Sequence, residues 1–516
     1  MEALLSAEKD VTSAIDQYIA AERERLDKLR IFAKEYEKKN KEALKQGAQF
    51  VENPVNAFLL IKRLTSDWGF VDQLMRSNLA EEFLKNLTDR QTTAASSGAQ
   101  FPSEEDLEGA AVALMRLQDT YKLTTTDMAD GKIQGVKRAE PLTAQDCFDL
   151  GRVAYNKHDY YHTVQWMMEA IDRLNREDPP SMEEWEILEY LAFALFQQGN
   201  IKRALSLTRR LLKLNPDHPR AKNNIKHYKE QLETDGVDTK AVKEADLPPI
   251  SNVRPSDGGL PERDAYERLC RQEGKPNHAR DRKLYCYYKQ DRAYLRLAPL
   301  KVEVVIREPL VVLFRSVLSE DETETVKQLA MPKLKRATVT NKVTGDLETA
   351  NYRVGKTAWL KGTEDPVVAR INTRVDMMTN LNIETAEELQ MSHYGLGGHY
   401  EPHFDFATKE EKNAFKTLGT GNRIATILFY LEIPEAGGGT VFPNIEAAVF
   451  PSKNDALFWY NLHRNGDGDE RTRHAACPVL AGKKWVANKW FHEKGQEFKR
   501  PCGLHSRVAE SYIGEL

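Results

Sequence analysis

The chain has no apolar run near the roughly 18–20 residues that a membrane-spanning helix needs. Nor has it a strong charge of either sign: 74 basic and 78 acidic residues leave a net charge of −4 over 516 residues. Nothing in that balance calls for nucleic acid or an anionic membrane as a partner. The start, Met1 to Leu5 with acids close behind, lacks the basic-then-apolar pattern of a secretory signal. Cysteine is sparse, with five residues, so two intramolecular bridges and one leftover thiol are the most it can form. What remains is the expectation of a soluble chain, too long for one hydrophobic core and divided into about three domains.

The run His403-Phe404-Asp405, followed by His474 and then Lys484, carries most of the chemical information. In an extended strand His403 and Asp405 share a face while Phe404 turns to the opposite layer. Two ligands from one strand and a third His from a later one make a 2-His-1-carboxylate set. Such a set holds non-haem Fe(II) and leaves coordination positions for a co-substrate and O₂. Lys484 offers a compact cation to a carboxylate in the same cavity. The alternation Lys484, Val486, Asn488 sets it on one strand face and leaves Lys483 to solvent. A lone His-x-Asp is weak, because two surface polar residues on a strand are its commoner meaning. Its surroundings give it weight. Aromatics and glycines fill the stretch from Gln390 to Tyr400, and 423–431 alternates like a half-buried strand. Short strands follow at 440–443, 455–460 and 479–491, separated by turns and a polar loop before His474. Many short strands with closely spaced turns predict a double-stranded β-helix, or jelly roll.

The motif Tyr394-x-x-Gly397-x-x-Tyr400-x-x-His403-x-Asp405, with His474-Ala-Ala-Cys477-Pro478 and Lys484, resembles that of the prolyl 4-hydroxylases. Residues from about 263 to 503 are similar to the catalytic domain of that Fe(II)/2-oxoglutarate-dependent dioxygenase family. The whole chain resembles the collagen prolyl 4-hydroxylase α subunits. Lysyl hydroxylases share the triad but usually carry Arg where this chain has Lys484. The resemblance implies that His403, Asp405 and His474 bind Fe(II). It implies that Lys484 pairs with the distal carboxylate of 2-oxoglutarate, helped by Tyr394 and Thr440. Tyr400, Arg423, Trp490 and His492 match positions around the peptidyl proline. The implied reaction hydroxylates C4 of proline in X-Pro-Gly sequences of procollagen. It consumes O₂ and 2-oxoglutarate and yields succinate and CO₂, with ascorbate as reductant. The implied partner is protein disulfide isomerase as β subunit, in an α2β2 or αβ assembly, and the implied location is the endoplasmic reticulum lumen.

The cysteines accord with an oxidising lumen. Their spacing predicts bridges Cys270–Cys286 and Cys477–Cys502 with Cys147 free in a helix, five reduced cysteines being the alternative. Asn86-Leu-Thr88 is a glycosylation sequon. The end, Ser511 to Leu516, lacks the residues of a lumenal retrieval signal. The native protein is expected to carry a signal peptide that this chain does not show.

The first ~45 residues predict one long helix, with Leu4, Val11, Ile15, Tyr18, Leu29, Phe32 and Tyr36 at 3–4 spacing. A coiled-coil dimerisation element and a helix packed on its own domain both fit. A helical dimerisation domain is expected over 1–142, and further amphipathic helices flank a polar loop at 92–103. From 143 to 233 paired helices with Gly199 at a turn and Asn215-Pro216 at an end follow the tetratricopeptide pattern. Stacked pairs make a concave face suited to an extended peptide, and aromatics there suit a polyproline II ligand. Tyr155, Tyr190, Phe193, Phe196, Arg220, Asn224 and His227 are the candidate groove residues, by resemblance to the family's peptide-substrate-binding domain. Burial in the helical core is the competing meaning of the same aromatics. Residues 234–262, rich in Gly and Pro, predict a flexible linker to the catalytic domain at 263–516. Two other functions fit the same sequence: a 2-oxoglutarate oxygenase acting on a non-collagen protein, and a tetratricopeptide adaptor with an inert jelly roll.

Overall fold

The computed structural model describes residues 2–76, 104–137, 139–239, 242, 247–255, 260–273, 284–340, 347–411, 414–415, 418–506, 508 and 510. The Asn86 sequon and the 92–103 loop lie outside them. The chain divides into two compact units, Met1–Ala111 and Val112–Leu516.

In the first unit, helix α1 (Glu2–Gln46) fulfils the long-helix expectation. Over its second half it packs on its own unit. Arg25 donates to the carbonyls of Leu74 and Met75, Tyr36 donates to Arg63 O, and Phe32 meets Phe70. After a single helical turn at Ala48–Val51, helix α2 (Pro54–Lys62) starts at a capped position. Asn53 Oδ1 accepts from the free N–H groups of Val55 and Asn56, and Pro54 has no N–H to satisfy. No described helix is long and apolar enough to cross a membrane.

The second unit begins within helix α3 (Glu104–Tyr121). Two helix pairs follow, α4 (Ala144–Asn156) with α5 (Tyr160–Leu174), and α6 (Glu184–Gln197) with α7 (Ile201–Leu214), then α8 (Ala221–Thr234). Thr143 and Asp146 form a capping box at the entry to α4. Gly199 turns the chain between α6 and α7 at φ +80°, a conformation that only glycine adopts cheaply.

The expected flexible linker is, over its described part, tied down. Asn200 exchanges hydrogen bonds with Ser251, Arg203 donates to Pro248 O, and Asn252 donates to Tyr161 O. Polar side chains at the helix turns satisfy the backbone of this proline-rich strap, which composition alone could not reveal.

The C-terminal region is built on two packed main sheets, with two short two-stranded ladders beside them. The strands of the main sheets in chain order are β1 (Cys286–Lys289), β2 (Leu300–Ile306), β3 (Val311–Arg315), β4 (Lys335–Arg336), β5 (Arg353–Val354), β6 (Lys356–Leu360), β7 (Leu389–Tyr394), β8 (His399–His403), β9 (Arg423–Glu432), β10 (Thr440–Phe442), β11 (Ala447–Val449), β12 (Ala456–Tyr460), β13 (His474–Ala476) and β14 (Lys484–His492). The large sheet has the order β1-β2-β3-β12-β9-β14-β7-β6-β4 and the small one β11-β10-β13-β8-β5. Alternation decides which residues face which layer. Val312, Phe314, Ile427, Trp485 and Ala487 join a core closed by helices α10 (Glu320–Ala330) and α11 (Pro366–Thr379). Val311, Leu313, Leu428, Tyr430 and Val486 face the small sheet. The site opens between the two sheets, as in a jelly roll.

The cysteine pairing differs from the sequence expectation. Helix α9 (Arg263–Cys270) packs on the small sheet and bonds Cys270 to Cys477, 207 residues away, with Cα atoms 5.5 Å apart. Neither Cys270–Cys286 nor Cys477–Cys502 forms, and Cys286 and Cys502 are exposed thiols. Spacing favoured neighbours in sequence, whereas docking of α9 brought distant residues together. Cys147 is free, as expected, and the structure buries it.

Candidate active site

Ladder pairing puts His403 directly opposite His474. Strand β8 ends at His403, so Asp405 lies in the bend just beyond it rather than within the strand. That bend aims the carboxylate at both imidazoles: Asp405 Oδ1 is 3.7 Å from His403 Nε2, and Oδ2 is 3.6 Å from His474 Nε2. One donor atom from each residue lies within 4.8 Å of the others, the one such cluster among the described residues. The tautomers are set from behind. His403 Nδ1 donates to Glu401 O at 2.7 Å and His474 Nδ1 to Thr472 O at 3.0 Å, leaving each Nε2 lone pair for a metal. Burial, and then the neighbouring His474, hold His403 well below the usual imidazole range. Burial pushes Asp405 up, but His474, His403, Arg423 and Trp490 outweigh it and hold the carboxyl at about 2. With both Nδ1 atoms committed behind, the two Nε2 atoms and the carboxylate make a donor set that suits Fe(II).

Other side chains lock this arrangement. The Tyr400 ring stacks on His403 with centroids 3.5 Å apart, and the Arg353 guanidinium lies 4.8 Å from the centre of the same tyrosine ring. Thr426 Oγ1 donates to Asp405 Oδ2 at 2.8 Å and is itself held by Asn461. Trp459 packs edge-on to His474. Thr426 was legible as the one hydroxyl at the centre of the apolar run 423–431; Asn461 and Arg353 gave no signal.

Lys484 lies on β14, paired across the ladder with Tyr394, and is only 1 % exposed. Among the described residues it has no carboxylate partner, and burial alone pulls its ammonium down to about 7. Its nitrogen lies 5.8 Å from the Tyr394 ring and 5.7 Å from the Tyr430 ring. Tyr430 hydroxyl and Thr440 Oγ1 are 2.7 Å apart. Tyr394, Thr440 and Lys484 thus converge, and Tyr430 joins them. A buried cation ringed by hydroxyl-bearing residues fits the carboxylate of a diacid. Lys483, by contrast, is 43 % exposed and faces Glu432.

The four expected proline-pocket residues separate into two kinds. Tyr400 and Trp490 border the metal ligands. Arg423 lies 3.9 Å over Trp490, but its guanidinium is already paired with Glu387. His492 is fully buried between Glu387 and Gly421 O. Burial pushes Glu387 up, yet His492 and Arg423 hold it below the usual carboxylate range. This Glu387-centred network braces the pocket wall, and sequence alone did not point to Glu387.

The groove residues also gather. Tyr155 meets Tyr190 at 4.9 Å and Phe193 at 5.6 Å, Phe193 meets Phe196, and Phe196 meets His227 at 5.3 Å. Tyr155, Tyr190, Phe193 and Phe196 are half-buried and His227 is exposed, so the row keeps ring surface outside the core. Arg220 pairs with Glu189, and Asn224 lies on the neighbouring helix α8.

Three family profiles match along the chain. They are the prolyl 4-hydroxylase α-subunit N-terminal region over 1–135, the prolyl 4-hydroxylase peptide-substrate-binding domain over 144–234, and the 2OG-Fe(II) oxygenase superfamily over 389–492. The chain is 59% identical over 514 residues to prolyl 4-hydroxylase subunit alpha-2 of Caenorhabditis elegans, covering 99% of this chain and 94% of that one. It is 46% identical to prolyl 4-hydroxylase subunit alpha-1 of Homo sapiens, covering 97% and 94%. The chain belongs to the prolyl 4-hydroxylase α-subunit family. Its order of N-terminal helices, tetratricopeptide-like pairs and C-terminal jelly roll is that of a prolyl 4-hydroxylase α subunit.

Proposed function

We propose that this chain hydroxylates C4 of proline in X-Pro-Gly sequences of procollagen. The observation that carries the reading is the pairing of a His403–Asp405–His474 metal set with a buried, unneutralised Lys484 in the same jelly roll. The family relationship supports it. When bound, Fe(II) supplies the O₂ chemistry: one oxygen atom enters succinate as 2-oxoglutarate loses CO₂, and the other becomes the proline hydroxyl.

The chain's own residues bind, orient and exclude water. His403, Asp405 and His474 would hold the metal, and Thr426 fixes the carboxylate rotamer by its hydrogen bond. Lys484 would anchor the distal carboxylate of 2-oxoglutarate, with Tyr394 and Thr440 beside it. Tyr400 and Trp490 would flank the proline, while Arg423 and His492 hold Trp490 and the pocket wall through Glu387. The half-buried aromatic row from Tyr155 to His227 would dock a polyproline II segment. Arg220 and Asn224 would contact its backbone.

Family membership supports the finer parts of the proposal. These are ascorbate as reductant, protein disulfide isomerase as β subunit, self-association through α1, glycosylation at Asn86 and residence in the endoplasmic reticulum lumen. The test is turnover of a (Pro-Pro-Gly) repeat peptide by the chain co-expressed with protein disulfide isomerase, with Fe(II), 2-oxoglutarate and ascorbate. Hydroxyproline before Gly, lost in His403→Ala, is expected. Succinate without hydroxyproline would reassign the substrate, and no turnover at all would leave a binding scaffold.

A further inference from the structure

The last turns of α3, Ala113–Tyr121, stand between the helical repeats and the metal-binding strands and bond to both. Toward the sheets, Arg116 Nη1 donates to Gly397 O at 3.1 Å, and the Tyr121 hydroxyl donates to Pro478 O. These two carbonyls belong to segments that already clasp each other. Gly397 N–H donates to Val479 O at 3.2 Å, and Val479 N–H to Gly398 O at 3.0 Å. Gly397 leads into β8 and His403, while Pro478 follows β13 and His474. The approach leaves no room for a side chain. Gly397 has φ +57°, and a Cβ there would lie 2.8 Å from Ala113 Cβ. Gly437 lies similarly against the Tyr121 hydroxyl. Arg271, next to the bridged Cys270, donates to Thr120 O at 2.8 Å and closes the end of the helix.

Toward the repeats, the same turns meet α5. Buried Trp166 donates to Gln118 Oε1 at 3.1 Å, and Gln118 Nε2 donates to Gln165. Asp119 pairs with His162 at 3.2 Å and with Arg254 of the strap at 2.9 Å. Helix α5 also carries Tyr160, whose ring borders Phe193 of the aromatic row.

We propose that Arg116 and Tyr121 are positioning residues of the metal centre. By holding the Gly397 and Pro478 carbonyls, they set the spacing of the strands that carry His403 and His474. A metal set works only when its ligands are held to within about 0.5 Å, and these two bonds act at the loop ends of both ligand strands. Gln118 and Asp119 place the peptide groove on the same turns of α3, so groove and metal centre share one support. The inference rests on the Fe(II) reading above.

The test uses Co(II) as the probe, titrated into the full chain with its partner and followed by visible absorbance, beside steady-state kinetics. Tyr121→Phe deletes one oxygen, Arg116→Met deletes one donor group, and Arg116→Lys keeps a donor. Co(II) affinity is expected to fall about tenfold in Tyr121→Phe and Arg116→Met, with a shifted visible band. The kcat should fall while the KM for a (Pro-Pro-Gly) repeat peptide holds, and Arg116→Lys should recover most of the loss. Affinity and band within about twofold of wild type in both variants would overturn the proposal. If Arg116→Met does not fold, Tyr121→Phe decides alone. A wild-type chain that takes up no Co(II) would instead sink the Fe(II) reading itself.

Discussion

Replacing Lys484 with Met should stabilise this protein while destroying its use of 2-oxoglutarate. The ammonium is buried without a carboxylate partner among the described residues, and burial pulls its pKa from 10.5 to about 7. That difference corresponds to about 5 kcal/mol of unfavourable burial. The Tyr394 and Tyr430 rings, both under 6 Å from the nitrogen, return about 1 kcal/mol each. Methionine keeps the length and apolar stem, so a net gain of about 3 kcal/mol is expected. For a domain of this size that raises the melting temperature by about 6–12 °C. The sign also fixes the pH window. The folded-state pKa is depressed, so the penalty is complete below about pH 7 and fades as pH rises toward 10.5. The gain from Lys484→Met should therefore be seen at pH 6.5 and shrink by pH 10. Loss of the cation should weaken 2-oxoglutarate binding about 100-fold or more. Calorimetric melting at both pH values, with anaerobic titration of 2-oxoglutarate into metal-loaded protein, measures the two effects. A variant that melts lower than wild type at pH 6.5, or that binds 2-oxoglutarate as wild type does, would refute the reasoning.

Other outcomes follow from the same geometry. Burial lowers the His162 imidazole, but bonds to Asp119 and Asp159 overcome it and lift it to about 9, with Arg254 on the far side of Asp119. A raised pKa means stability that is full below about pH 6.5 and lost as pH climbs through 9, about 3 kcal/mol in all. His162→Gln should flatten the melting temperature between pH 6.5 and 9, and an unchanged slope would refute the assignment. Phe193→Ala, which breaks the aromatic row, should raise the KM of long proline-rich peptides about tenfold and leave short ones and kcat alone. Equal effects on short and long peptides would remove the groove from substrate binding. Thr426→Val deprives buried Asp405 of a donor and should cut metal affinity by about tenfold, as read by Co(II) titration.

Much of the site could be read in the sequence because strand alternation and register are local. His403, His474 and Lys484 fell where spacing put them, Lys484 was told apart from Lys483, and the half-buried row from Tyr155 to Phe196 lay on the expected helices. The misreadings share one cause. Cys270 bonds Cys477 because helix α9 docks on the small sheet, which no neighbour rule anticipates. The strap near Ser251 is held because Asn200, Arg203 and Tyr161 meet it in space, although its composition resembles a free linker.

The sequence by itself determined the chemistry: the donor types, the cation, the sheet-forming pattern and the family. These follow from residue identity and periods of two or 3.6, which act over a few residues. Only the tertiary structure decided the bend that aims Asp405, the Glu387 brace, the Cys270–Cys477 bridge and the seating of Arg116 and Tyr121 on the ligand strands. The last three join residues far apart in the chain, and the bend is held by Thr426 from another strand; such contacts form only when whole elements dock and bury their shared surface.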